Sequence, residues 1–216
     1  MIDSIDAFRA NLAEIDVLHS YALLNEKKIQ EYRLFNKVAV VLLCTSFEVM
    51  VESFIAEHTE NLLLCYDNLT LPQFMKDNYI NDTIKYLMSA PVPSQKKKQL
   101  RALFQLHGNK SIQVSTLSDL VLEMRFSIGK HGQKETERIF TKFGLKSFIE
   151  SSSFISAFGT INSAVAMRNN IIHEGSTPSL THVDVENYKD AFLEFSSALE
   201  NHMILNQRLY YGKNIY

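Results

Sequence analysis

Apolar positions recur at helical spacing along almost the whole of this 216-residue chain. Ile2, Ile5, Phe8, Leu12, Ile15, Leu18 and Ala22 step by three or four and mark one face of a first helix. A second, long helix is predicted from about Lys28 to Tyr66, carrying Ile29, Tyr32, Val38, Leu42, Val49 and Ile55. Its centre is apolar on most sides, which predicts the buried axis of a bundle. Pro72 suits the first turn of a third helix reaching about Met88. Ala-Pro-Val-Pro at 90–93 breaks the pattern, and Ser94 is placed to cap a basic helix over Gln95 to His107. Gly108, Gly129 and Gly132 punctuate the next stretch, where Ile112-Gln113-Val114 reads as a short extended piece and Leu117 to Phe126 as a short helix. Gln133 to Phe143 is predicted helical with Gly144 as its C-terminal cap, followed by a short helix near Lys146 to Ser151. The most regular stripe is Phe154, Phe158, Ile161, Val165, Arg168 and Ile172, stopped by Gly175 and Pro178. Thr181 and Asp184 have the spacing of a capping box for a last helix, with the stripe Val185, Tyr188, Phe192, Phe195, Leu199 and Met203.

No internal repeat, long linker or alternating strand set interrupts these helices. The expectation is one all-α domain over residues 1–216, an antiparallel helical bundle, with about 70–130 as an inserted helical cap. Composition agrees: 46% of residues are hydrophobic and 21% charged, and 7 Gly with 4 Pro are too few for the turns of an all-β sandwich. A net charge of −2, from 22 basic against 24 acidic residues, excludes a protein that coats nucleic acid broadly, so any phosphate site must be local. Cys44 and Cys65 lie in apolar helical sequence and read as buried thiols of a cytoplasmic protein. The N-terminal residues lack a basic signal-peptide region. The longest unbroken apolar run, Val38 to Cys44, is short of the ~20 residues a membrane span needs. A soluble, cytoplasmic protein with no membrane association is expected.

Motif absences narrow the chemistry. The sequence has no phosphate-binding Gly-Lys-Ser/Thr loop, no Gly-x-Gly-x-x-Gly, no His-Glu-x-x-His, no zinc-spaced Cys pair and no Gly-x-Ser-x-Gly elbow. No cofactor or metal is expected. His131, between Lys130 and Gly132, reads as a solvated loop histidine. Arg168 breaks a local rule: it occupies a position on an apolar stripe where Leu or Ile is expected. A guanidinium there must be paired or must face a wet cleft, because burying it alone is very costly. Asn169 and His173 are four residues apart and share a helix face, and the long Arg168 side chain can lean towards it. A fixed cation, an amide and an imidazole within one and a half turns suit a phosphodiester. Arginine grips phosphate in a fork, and histidine moves protons near neutral pH.

The run Arg168-Asn169-Asn170-Ile171-Ile172-His173 resembles the Arg-polar-x-x-x-His signature of the HEPN superfamily, and its nearest branch is RiboL-PSP-HEPN. Its place late in the chain, before Glu174-Gly175 and one more amphipathic helix, matches that family. Thr45-Ser46-Phe47-Glu48 on the long apolar helix is similar to the family's early helix, so the resemblance covers roughly 28–66 and 133–206. It implies a HEPN-like bundle and metal-independent RNA cleavage, in which the 2′-hydroxyl attacks the adjacent phosphorus. It further implies a homodimer with a composite active site, and work as a toxin or anti-phage defence effector beside an antitoxin or other defence partner. Carried over, Arg168 stabilises the phosphate, His173 transfers protons, Asn169 positions and Glu48 is a supporting acid. In one branch a Tyr two residues after the motif His is modified by a partner nucleotidyltransferase; here that position is Gly175, so that regulation is not expected.

Other readings stand beside this one. A non-catalytic HEPN-like module would bind RNA or protein and keep the motif as a polar cluster. A purely structural bundle would leave Arg168 unexplained, unless it pairs with Glu48 or Glu52. His173 near a helix end is also a favourable cation at the negative pole. Lys96, Lys97, Lys98 and Arg101 are expected to form a solvated helix face rather than an RNA guide. Arg208-Leu209-Tyr210-Tyr211 is expected to fray or pack rather than to stack on bases.

Overall fold

The computed structural model describes residues 2–89, 92–126, 132–173, 180–213 and 215, with backbone alone at 173. Eight α-helices lie within these residues: α1 (Asp3–Leu24), α2 (Ile29–Cys65), α3 (Gln73–Ser89), α4 (Pro93–Leu106), α5 (Gln133–Lys142), α6 (Lys146–Ile149), α7 (Ser152–His173) and α8 (His182–Tyr211). The described residues form an all-α helical bundle, the class expected from the sequence. Helices α1, α2, α7 and α8 pack as its body, and α3–α6 lie against it. Side-chain pairs give the directions. Ser4 reaches Glu57 and Tyr21 stacks on Phe35, so α1 and α2 are antiparallel. Arg9 pairs with Glu200 and Asp16 with Lys189, so α1 and α8 are antiparallel too.

The expected stripes of α1 and α8 form the core. Ile2, Ile5, Phe8, Leu12, Ile15 and Ala22 are buried, as are Val185, Phe192, Phe195, Leu199 and Met203. Phe47, Phe140, Phe148, Phe154, Phe158 and Phe195 meet edge-on or tilted in one aromatic cluster. Burying each such side chain stabilises the fold by about 1.5–3 kcal/mol. Thr181 caps α8 with the reciprocal Asp184 bond of a capping box. After α5 the chain makes a Schellman turn: Leu145 N donates to Phe140 O and Gly144 N to Thr141 O, with Gly144 at φ +79°. The Cys44 thiol is buried and Cys65 partly so.

Four expectations are corrected. Of the apolar α2 positions read from the sequence, Ile29, Val38, Leu42 and Val49 are exposed and Ile55 is buried; Leu34 is exposed too, while Ala39, Val40, Leu43, Phe47, Met50, Val51 and Phe54 are buried. A helix whose centre is apolar on most sides leaves its inward face to be chosen by its neighbours. α2 is also long and apolar enough to cross a membrane by length and composition, which counting unbroken runs missed; half of that stretch is buried, as in the axial helix of a bundle. The N-cap position of α4 is the extended Val92 and not Ser94, it makes no side-chain cap bond, and Pro93 stands in the first turn. Ile172, at the end of the α7 stripe, is 46% exposed. The stops Gly175 and Pro178 lie outside the described residues, as does His131.

The fourth correction is the predicted helix over 117–126, which is irregular chain after a 3-10 turn at Val114–Thr116. Its partly buried Leu120, Leu122 and Met124 and its buried Phe126 alternate, as in an extended strap. Side chains from distant helices satisfy its backbone: Thr83 Oγ1 accepts from Val121 N at 3.0 Å, Asp82 from Glu123 N at 2.8 Å, and Glu52 from Phe126 N at 3.0 Å. Asn68, buried before α3, staples the end of α4: its Nδ2 donates to Gly108 O at 3.0 Å and its Oδ1 accepts from Ile112 N at 2.7 Å.

Candidate functional site

Helices α2 and α7 bring two of the candidate residues together. Arg168 Nη2 lies 4.0 Å from Glu48 Oε1, with 16% and 18% of the two side chains exposed. At that separation the contact is an ion pair and not a hydrogen bond. The guanidinium's hydrogen bond goes along its own helix: Nη1 donates to Asn169 Oδ1 at 3.0 Å. Arg168 Nε is buried and has no hydrogen-bond partner among the described residues. Asn169 is half-buried and Asn170 is exposed. The backbone of His173 continues α7 one turn beyond Asn169; its side chain lies outside the described residues.

The surroundings set the charge states. Burial raises the Glu48 carboxyl above its ordinary range; Arg168 opposes this, and Glu52, one turn on, adds to it. Cys44, one turn before Glu48 on the same face of α2, is a neighbour the sequence reading did not use. Burial, then Glu48, push its thiol up to about 12 against the opposing pull of Arg168. It is therefore a neutral packing group at physiological pH, not a nucleophile. The signal for it was the four-residue spacing from Glu48. Glu52 completes the acidic edge and anchors the strap through Phe126 N.

Beside this pair the surface is apolar. Leu34, Val38, Leu42 and Val49 recur every four or seven residues on the open face of α2, with Glu48 at its edge, and Ile172 is exposed on α7 one turn past Arg168. The C-terminal tyrosines are elsewhere: Tyr210 and Tyr211 are buried, packed on His58, and take no part in a base-stacking surface. Among the described residues no three of His, Cys, Asp and Glu converge to hold a metal ion.

A model of the RiboL-PSP-HEPN family matches residues 7–204. The match runs through 70–130, beyond the two stretches that the motif and the early helix cover. No curated protein and no solved structure matches the chain.

Proposed function

The chain belongs to the RiboL-PSP-HEPN family, and from that premise we propose that it is a metal-independent endoribonuclease acting as a toxin or anti-phage effector in the cytoplasm. The observation that carries this reading is the placement of Arg168, with its Asn169 partner, against Glu48 one turn before His173. In the proposed reaction a base takes the proton from the RNA 2′-hydroxyl, whose oxygen then attacks the adjacent phosphorus. The P–O5′ bond breaks, an acid protonates the leaving 5′-oxygen, and the products end in a 2′,3′-cyclic phosphate and a 5′-hydroxyl. Arg168 balances the extra negative charge on the phosphoryl oxygens. His173 carries the proton, and Asn169 holds the guanidinium's direction.

Acid–base cleavage needs both a base and an acid, and each chain offers one imidazole in the motif. A two-fold partner supplies the second. The exposed stripe Leu34, Val38, Leu42 and Val49 beside Glu48 supports a homodimer that closes over the motif and buries this apolar face.

The test is incubation of wild type and His173→Ala with total RNA in EDTA, followed by analysis of product ends. Cyclic phosphate ends from the wild type alone are expected. No cleavage by the wild type, or equal cleavage by His173→Ala, overturns the nuclease reading. One observation favours a second reading, a non-catalytic module that binds RNA or protein: most of the Arg168 and Glu48 side chains is covered within a single chain. Binding without cleavage, lost together with thermal stability in Arg168→Ala, selects it.

A further inference from the structure

The sequence from Thr83 to Ser118 holds no Asp or Glu, but does hold Lys85, Lys96, Lys97, Lys98, Arg101 and Lys110. The rest of the chain, with 16 cations and 24 anions, stands at −8, so this segment has a net charge opposite in sign to that of the remainder. Of the six cations, Lys85 is paired, with Glu123 at 3.0 Å. Lys96, Lys97, Lys98 and Arg101 have no carboxylate partner among the described residues. All four lie on α4.

A solvated lysine face accounts for the charge but not for what lies between the charges. α4 buries Gln99, Ala102 and Leu106, and its opposite face carries Lys97, Leu100, Arg101 and Phe104. Phe104 is 78% exposed and Leu100 47%. With Pro93 and Lys96 they line an open groove of about 720 Å³. Phe104 follows Arg101 by three residues and Lys97 by seven, so ring and cations share one outward face. The Asn68 staple and the buried Leu106 hold the end of this helix against the body, so the face is presented on a fixed element.

We infer that this face of α4 is a docking strip for single-stranded RNA, with Lys96, Lys97 and Arg101 on the phosphates and the Phe104 ring stacked on a base. Single-strand binders combine a basic track for the backbone with aromatic rings for the bases. Duplex RNA keeps its base faces stacked inside and offers Phe104 nothing. An acidic peptide satisfies the cations but has no planar partner for the ring. The choice of RNA among anionic polymers rests on the nuclease reading above. The strip lies outside the Arg168 motif and adds substrate capture rather than chemistry.

The experiment measures binding apart from cleavage. Fluorescence anisotropy in EDTA uses full-length His173→Ala protein, a labelled unstructured 20-nucleotide RNA, the same sequence as a duplex, and a poly-glutamate peptide. On this background Phe104→Ala is expected to weaken single-strand binding about 5- to 100-fold, and Phe104→Tyr to keep it. Lys97→Glu with Arg101→Glu is expected to weaken it at least tenfold and to flatten its salt dependence. All these positions are exposed, and unchanged melting confirms that the variants fold. Equal binding of duplex, tight binding of the peptide, or indifference to both Phe104→Ala and the charge reversals overturns the strip. If the wild type fails to cleave RNA while these binding losses appear, the strip stands and the nuclease reading falls. If cleavage is intact and the variants bind like the parent, the reverse holds.

Discussion

Arg168 and Glu48 meet across two helices at 4.0 Å, each more than four-fifths covered, while the guanidinium spends its hydrogen bond on Asn169 rather than on the carboxyl. An ion pair of this kind attracts without locking geometry. It lowers the cost of keeping a cation near the bundle surface, and it leaves guanidinium donors for an incoming anion.

If the motif acts on RNA, Arg168→Ala and His173→Ala each lower the cleavage rate by about 10²–10⁴. The double variant falls within a few-fold of the weaker single, because residues acting as one unit are not additive. Rates on a fluorogenic RNA at constant pH test this, and a single variant retaining full activity contradicts it.

Arg168→Ala also acts on stability, with a pH signature. The folded-state Glu48 carboxyl is already raised by burial, and removing Arg168 takes away the opposing cation, so it rises further. A raised carboxyl contributes stability below its ordinary range and loses it as pH climbs through the folded value. The expected cost of Arg168→Ala is therefore small near pH 4 and about 1–3 kcal/mol at pH 8, and Glu48→Gln in the same chain recovers most of it. Urea midpoints at the two pH values decide; a cost independent of pH rules out this coupling.

Leu42→Asp places a charge in the exposed α2 stripe and, if the proposed homodimer forms through that face, is expected to leave a monomer with unchanged helical content. Activity falls with the dimer if the site is composite. Light scattering gives the first answer and the RNA assay the second. A wild-type monomer with full specific activity removes the composite site.

His58 makes acid stability a local property. It is wholly buried, stacks on Phe54, donates from Nε2 to Phe143 O and accepts from the Tyr211 hydroxyl at Nδ1, 2.7 Å away. Burial holds its pKa down to about 4, against the raising effect of the Phe143 hydrogen bond. Its neutral-state stability is complete above the unfolded value of about 6.5 and is lost as pH falls through about 4. The loss is on the order of 3 kcal/mol. His58→Gln is expected to be less stable at pH 7.5 and to close the gap to wild type by pH 4. A gap that stays constant over this range counts against the assignment.

Gly144→Ala tests the Schellman turn. An added Cβ would sit 2.6 Å from Phe74 Cζ, on a backbone at φ +79°. Left-handed strain of about 1–2 kcal/mol adds to that clash, so a total near 3 kcal/mol is expected. Phe74→Leu with Gly144→Ala relieves the clash and retains the strain. Thermal unfolding of the wild type and these two variants separates the two parts; equal melting of all three shows that neither operates.

What the sequence determined by itself was local. Periodicity placed α1, α7 and α8, and the Thr181–Asp184 spacing was enough for the capping box, because caps and i, i+4 faces involve residues within a turn of one another. Tertiary structure decided whatever depended on distant partners. The centre of α2 is apolar on most sides, so Val38 and Val49 face outward only because α1, α7 and α8 cover the other faces. The stretch 117–126 gave up the predicted helix because its backbone N–H groups find Thr83, Asp82 and Glu52, side chains that local reading never sees. The candidate site divides the same way. The six-residue Arg168 to His173 spacing is written along one helix, whereas the placement of Arg168 beside Glu48 and Cys44 comes from packing α7 against α2, and burial then raises the Glu48 carboxyl and the Cys44 thiol.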